Sequence, residues 1–163
     1  MKKFYHYLSI LAISLLLTAC SSSTIFETQN INMNTTPQQL TSDTDFTEGT
    51  QVLWGGVIVS SENLKQVTQF EVLAYPLDSD QRPDTDQTAV GRFIATKQGY
   101  LEINEYQQGK QISISGTLQE LRTGSIGETT YTYPVITINQ LHLWQKKVVN
   151  NEPQFRFGVG VRL

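Results

Sequence analysis

Cysteine is almost absent. The 163-residue chain holds one, Cys20, and only two histidines, His6 and His142. A lone thiol excludes an internal disulfide, so stability has to come from a packed core, which a chain of this length can bury. So few histidines leave little for a zinc site or a Ser-His-Asp triad. Ser113, Ser115 and Ser125 also lack the spacing of a nucleophile elbow. Basic charge is scarce, with 12 Lys and Arg against 15 Asp and Glu. That argues against nucleic acid, whose binders carry a basic stripe, and against an electrostatic clamp on anionic lipid. No apolar run reaches the roughly 20 residues that a membrane-crossing helix needs. Beyond the N-terminal segment, no stretch of useful length shows helical amphipathic spacing.

What is present begins with an export signal. Lys2 and Lys3 supply a positive start, and Leu8 to Leu17 is a short apolar core broken by Ser9 and Ser14. Leu17-Thr18-Ala19-Cys20 then has the form of a lipobox. Residues 1–19 are therefore expected to be a cleaved signal helix, and Cys20 the lipidation site. One acyl chain binds a bilayer with only about 10⁴ M⁻¹, and each buried CH₂ adds about 0.8 kcal/mol, so several chains make release negligible. An ordinary signal peptide followed by a free thiol ranks lower, because the sole cysteine sits at the position lipidation requires. Cleavage removes Lys2, Lys3 and His6, leaving ten basic against fifteen acidic side chains. Ser21, where an Asp favours inner-membrane retention, favours the outer membrane.

Residues 20–50 are rich in Ser, Thr, Asn and Gln and read as a lipidated, flexible polar tether. Ile25, Phe26, Ile31 and Met33 are scattered through it, free to touch membrane or domain. Thr36 can cap one helical turn that opens on Pro37. Residues 51–163 read as the folded domain. Val52 to Val59 is apolar and β-branched and reads as a strand, with Gly55 and Gly56 placed for a bend or a close backbone crossing. Val67 to Tyr75 alternates, with Phe70, Val72 and Ala74 on one face. Val90 to Thr96 resumes strand character, and Gln111 to Leu118 puts Ile112, Ile114, Gly116 and Leu118 on one side. Gly124-Ser125-Ile126-Gly127 reads as a hairpin loop. In Tyr131 to Trp144 the phase slips: Ile136 and Ile138 share one parity, Leu141 and Leu143 the other. A β-bulge near Asn139-Gln140 reconciles them. Phe155 to Leu163 alternates again. The expected fold is all-β, a small, strongly curved antiparallel barrel of OB-like type, with a flat sandwich as the alternative.

Taken in order, Gly55-Gly56-Val57-Ile58, Pro76-Leu77-Asp78 with Arg82-Pro83, Gly91-Arg92-Phe93, Gly99-Tyr100-Leu101, Gly116-Thr117-Leu118, Gly124-Ser125-Ile126-Gly127, Tyr133-Pro134-Val135 and Leu143-Trp144 resemble the Slp family of starvation-inducible outer-membrane lipoproteins of Gram-negative bacteria. The likeness runs from the lipobox through Trp144. It implies a non-enzymatic envelope lipoprotein with a structural or protective role in starvation or stationary phase, and it brings no catalytic residue and no cofactor.

Other chemistry ranks below this. The Asp78, Asp80, Asp84 and Asp86 loop alternates carboxylates, but an EF-hand counted from Asp78 meets Pro83 where Gly is needed and Ala89 where Glu is needed. These acids read first as a solvated loop, with Arg82 among them. His142 alternates with Leu141 and Leu143 and points away from their face. Glu102 and Glu105 read as surface acids. Trp54, Tyr75, Tyr100, Tyr131, Tyr133 and Trp144 offer the second reading, a periplasm-facing module for an oligosaccharide, peptide or envelope protein. Gathering in one groove would favour it, and disappearance into the core would favour the structural role. An integral outer-membrane barrel needs at least eight long strands, more than the sequence supplies. The expected partner is membrane lipid through Cys20; neither a metal nor nucleic acid is expected.

Overall fold

The computed structural model describes residues 24–33, 35–42 and 47–145. The expected signal peptide 1–19, the expected lipidation site Cys20 and the alternating Phe155–Leu163 segment lie outside these residues. A short helix, α1 (Pro37–Ser42), precedes five strands: β1 (Gln51–Asn63), β2 (Val67–Tyr75), β3 (Arg92–Gln98), β4 (Gln111–Ile126) and β5 (Thr129–Leu143).

The strands close into a barrel in the order β1-β2-β3-β5-β4. All neighbours are antiparallel except β3 and β5, which run parallel through Ile94↔Val135, Ala95↔Ile136 and Thr96↔Thr137. This is the OB-like topology expected from the interior glycines and short alternating strands.

β1 does the work of two strands. Gln51 to Val57 pairs with β4, and Gly55 to Asn63 pairs with β2. The overlap falls on Gly55-Gly56-Val57, where the chain turns the corner of the barrel. A side chain at Gly56 would put a Cβ 2.0 Å from the Leu73 carbonyl oxygen, so only glycine fits between the two neighbouring strands.

Period-two alternation fills the interior. Val52, Trp54 and Ile58 of β1 meet Phe70, Val72 and Ala74 of β2, Phe93 and Ala95 of β3, Ile112, Ile114 and Leu118 of β4, and Ile136 and Ile138 of β5. The expected slip in β5 is present: Ser115 faces Gln140 and Gly116 faces Ile138, leaving Asn139 as the extra residue. The bulge turns Leu141 and Leu143 back onto the core. Two boundaries differ from expectation. β3 begins at Arg92 and runs through Lys97 and Gln98. The β4–β5 hairpin keeps Gly124 to Ile126 in strand and turns only at Gly127-Glu128, where Gly127 takes φ 58°.

The ends of the barrel are plugged. At one end α1 inserts Leu40 into the core. Its N-terminus is a reciprocal capping box: Gln39 N–H donates to Thr36 Oγ1 (3.3 Å), and Thr36 N–H donates to Gln39 Oε1 (2.8 Å). At the other end the β3–β4 connection lays Leu101 and Tyr106 on the core, with the Tyr106 ring 5.3 Å from Phe70.

Candidate functional site

The expected tether is not solvated throughout. Phe26 is 2% exposed, and its backbone is clasped at both polar groups by one side chain. Phe26 N–H donates to Gln81 Oε1 (2.8 Å), and Gln81 Nε2 donates to Phe26 O (3.1 Å). Further on, Asn32 N–H donates to Gln51 O (2.8 Å), and the Trp54 indole donates to Thr35 O (2.7 Å). The described part of residues 20–50 is thus bound to the barrel at three points before α1. The segment makes all three ties through its backbone, so its polar side chains carry no sign of them and it reads as tether in sequence.

Gln81 can reach Phe26 because the Asp loop folds tightly beneath it. The Asp78 carboxylate accepts from the amides of Asp80 and Arg82, each at 2.9 Å. Asp84 accepts from Asp86 N–H at 3.2 Å. These are the Asx turns that Asp favours. They drive Gln81 into the left-handed region at φ 63°, a conformation that costs a non-glycine residue about 1–2 kcal/mol. Its two bonds to Phe26 offset that cost. Among the described residues no group of three or more His, Cys, Asp or Glu side chains gathers as a metal site.

The clasp continues into the barrel wall. Ser113 Oγ donates to Gln81 O (2.6 Å) and accepts from Trp144 Nε1 (2.9 Å). Arg82 lies over the Trp144 ring at 5.2 Å, and His142 meets the same ring edge-on at 4.5 Å. Arg82 also donates to Gln111 Oε1 (2.8 Å) and Gln145 O (3.0 Å). These residues border an open cleft of about 700 Å³ between the Asp loop, Lys110 and Trp144. Several of its polar side chains are already engaged, with Lys110 donating to Glu105 O (2.8 Å) and Gln111 Nε2 reaching Thr85. Among the described residues no buried side-chain polar atom lacks a partner. A ligand held by Arg82, Lys110 or Gln111 would have to displace their bonds.

A second polar group sits on the outer face where the β4–β5 hairpin rests on β2 and β3. Arg92 donates to Glu71 (2.6 Å), Arg92 N–H donates to Tyr131 Oη (2.9 Å), and Tyr133 Oη donates to Glu71 Oε1 (3.3 Å). Ile94, Tyr133 and Val135 form a small apolar cluster beneath it, flanked by Ile126 and Tyr131. Burial pushes the Tyr133 hydroxyl above its ordinary range, and the Glu71 carboxylate pushes it further. Burial does the same to Tyr106, with help from Glu105.

The six aromatics singled out in sequence are dispersed. Trp54 is in the core against Phe93 at 5.2 Å. Tyr131 and Tyr133 pair on the outer cluster. Trp144 lies at the cleft, and Tyr75, half-buried at the end of β2, lines a separate pocket with Trp54. Tyr100, 66% exposed, stands near the β1–β2 turn with its hydroxyl on Lys65 O. His142 does turn away from the core. Glu102 caps Asn104 in the β3–β4 connection. The sequence reading missed Gln81, for which no local signal exists. A lone large aromatic in a polar stretch was the one hint of Phe26.

The model of the Outer membrane lipoprotein Slp family matches residues 17–159. The chain is 30% identical over 148 residues to the outer membrane protein Slp of Escherichia coli (strain K12), covering 87% of this chain and 76% of that protein. It is 28% identical over 108 residues to the uncharacterized lipoprotein YeaY of the same organism, covering 64% of this chain and 55% of that one. A solved structure of the S. cerevisiae mitochondrial single-stranded DNA binding protein Rim1 overlaps 59% of this chain and 95% of its own, at 13% identity and TM-score 0.39. A small single-stranded DNA-binding protein from Streptomyces coelicolor overlaps 60% and 95%, at 14% identity and TM-score 0.36.

Proposed function

The chain belongs to the Slp family of outer membrane lipoproteins, and from that premise we propose that it is moored by acyl chains on Cys20 and serves the envelope as a non-enzymatic structural or protective module under starvation or in stationary phase. The mooring rests on one observation above all. The family match opens at residue 17, the first residue of the lipobox, and the lipobox ends on the only cysteine in the chain. The non-enzymatic reading is supported by the state of the side chains. Of those bordering the cleft at Trp144, Arg82, Lys110, Gln111 and Trp144 itself are spent on internal hydrogen bonds, and the aromatics are divided between core, cleft, outer cluster and exposed surface. The starvation role is what the family resemblance implies. Domain organisation follows the same reading: residues 1–19 leave, Cys20 anchors, and the barrel domain projects from the membrane.

Cys20→Ala tests the mooring. Labelled palmitate enters the wild-type protein and not the variant, and the variant keeps its signal peptide. Incorporation into the variant would refute the assignment of the acceptor.

A further inference from the structure

Granting the mooring just proposed, the clasp on Phe26 fixes how far the barrel can stand from the bilayer. Only residues 21–25 separate the anchor from a buried, doubly bonded Phe26. Six residue steps at 3.3–3.6 Å reach about 20 Å even when fully extended. A free tether of roughly thirty residues would instead wander with a root-mean-square span near 30 Å and a contour of about 100 Å.

We propose that the barrel is strapped to the phospholipid surface, with the cleft flanking Phe26 as its membrane-facing side. That cleft is bordered by Ile25, Glu27, Gln29, Gln51, Asn139 and Gln140, among others. Ile25 is 41% exposed and sits one residue before the clasp. Glu27 is the single charged side chain lining this cleft, in a mature chain with five more acids than bases. An amide-rich, nearly neutral patch can exchange hydrogen bonds with phospholipid headgroups without the repulsion an acidic face would meet. The lipid is the chosen occupant because the chain leading to it ends beside this face. The Leu64 turn follows the far end of β1, a 13-residue strand whose first residue, Gln51, borders this cleft, so it lies about 40 Å away along the strand.

The test uses the full-length lipidated protein, purified from membranes and placed in phosphatidylethanolamine/phosphatidylglycerol vesicles that carry a headgroup-linked fluorescence quencher. Single fluorophores are attached at Gln140→Cys and, separately, at Leu64→Cys. Cys20, already alkylated, does not react. The Gln140 label should be quenched several-fold more than the Leu64 label. A flexible insertion of about ten Gly and Ser residues after Ser23 lengthens the strap and leaves the barrel untouched, so the difference should collapse. Gln81→Ala should act in the same direction, because the next tie is at Asn32.

Equal quenching at the two positions, with mass spectrometry showing acylated Cys20, overturns the strap and leaves the anchor standing. So does shielding of Gln140 from water without quenching by lipid, which would mean that a protein covers the face. An unmodified Cys20 overturns the anchor and the strap together.

Discussion

Tyr133 shows how one side chain ties the outer face to a measurable property. Burial first, and then the neighbouring Glu71 carboxylate, raise its hydroxyl above the ordinary 10.0, while Arg92 pulls it partly back. The folded protein therefore holds this proton more tightly than the unfolded chain does. The associated stability is complete below pH 10 and is lost as pH climbs through the raised value. Tyr133→Phe removes the group that titrates. At pH 7 the variant should be less stable by about 0.5–1.5 kcal/mol, the worth of an ordinary hydrogen bond. The gap to wild type should narrow in urea titrations carried to pH 10.5 and above. A gap that widens there would show that Tyr133 titrates more easily in the folded state. Tyr106 is raised for the same reasons, so Tyr133→Phe flattens only part of the alkaline decline. Tyr133's environment was not legible beforehand, because Glu71 and Tyr133 are 62 positions apart. Sequence shows that a tyrosine alternates with apolar neighbours; it does not show which carboxylate faces it across the hairpin.

Among the elements, the bulges separate what can be read from what cannot. Asn139 was legible because apolar residues on both sides of it, the buried Ile138 and the half-buried Leu141, demand the same interior from opposite parities. Two further irregularities escaped, at Val59 on β1 and at Gln119 on β4, where the register skips between Ile58 and Ser60 and between Leu118 and Glu120. Each is followed by polar, exposed or half-exposed residues, so no apolar phase survives to betray the slip. The same logic gives a prediction. Deleting Asn139 restores a regular ladder but sends Leu141 and Leu143 to the outer face and His142 inward. Asn139→Gly keeps the extra residue and loses only its exposed bonds to Thr117. The deletion should cost several kcal/mol, in the range of burying a polar side chain and exposing two leucines. The substitution should cost less than about 1 kcal/mol. Thermal melts of the two variants decide it: similar losses would mean that the bulge is not what sets the phase of β5.

At the scale of the molecule, the N-terminal segment and the barrel form one folding unit joined through contacts distant in sequence. Phe26 meets Gln81 across 55 positions, and Trp54 meets Thr35 across 19. Ser113 and Trp144 extend the first of these ties into β4 and the end of β5. Composition hid the union, since a stretch made of Ser, Thr, Asn and Gln looks solvated until the specific acceptors opposite it are known. The barrel itself was legible because its core is carried by local alternation that needs no partner to be recognised. If the union is energetic as well as geometric, two truncations should behave differently. A chain beginning at Thr24 keeps every described bond and should melt like the mature protein. A chain beginning at Thr47 loses the burial of Phe26 and Leu40, worth about 1.5–3 kcal/mol each, and uncovers the end of the barrel where Trp54 sits. For chains between the 60–100-residue and 150–250-residue classes each kcal/mol moves the melting temperature by about 3–5 °C, so the midpoint should fall by about 10 °C or more. In a Trp144→Phe background the remaining indole reports on Trp54 alone, and its emission should shift to the red as the Thr35 bond and the cover of α1 disappear. Equal melting of the two truncated chains, with blue emission retained, would mean that the barrel is complete without the strap and that the segment merely rests on it.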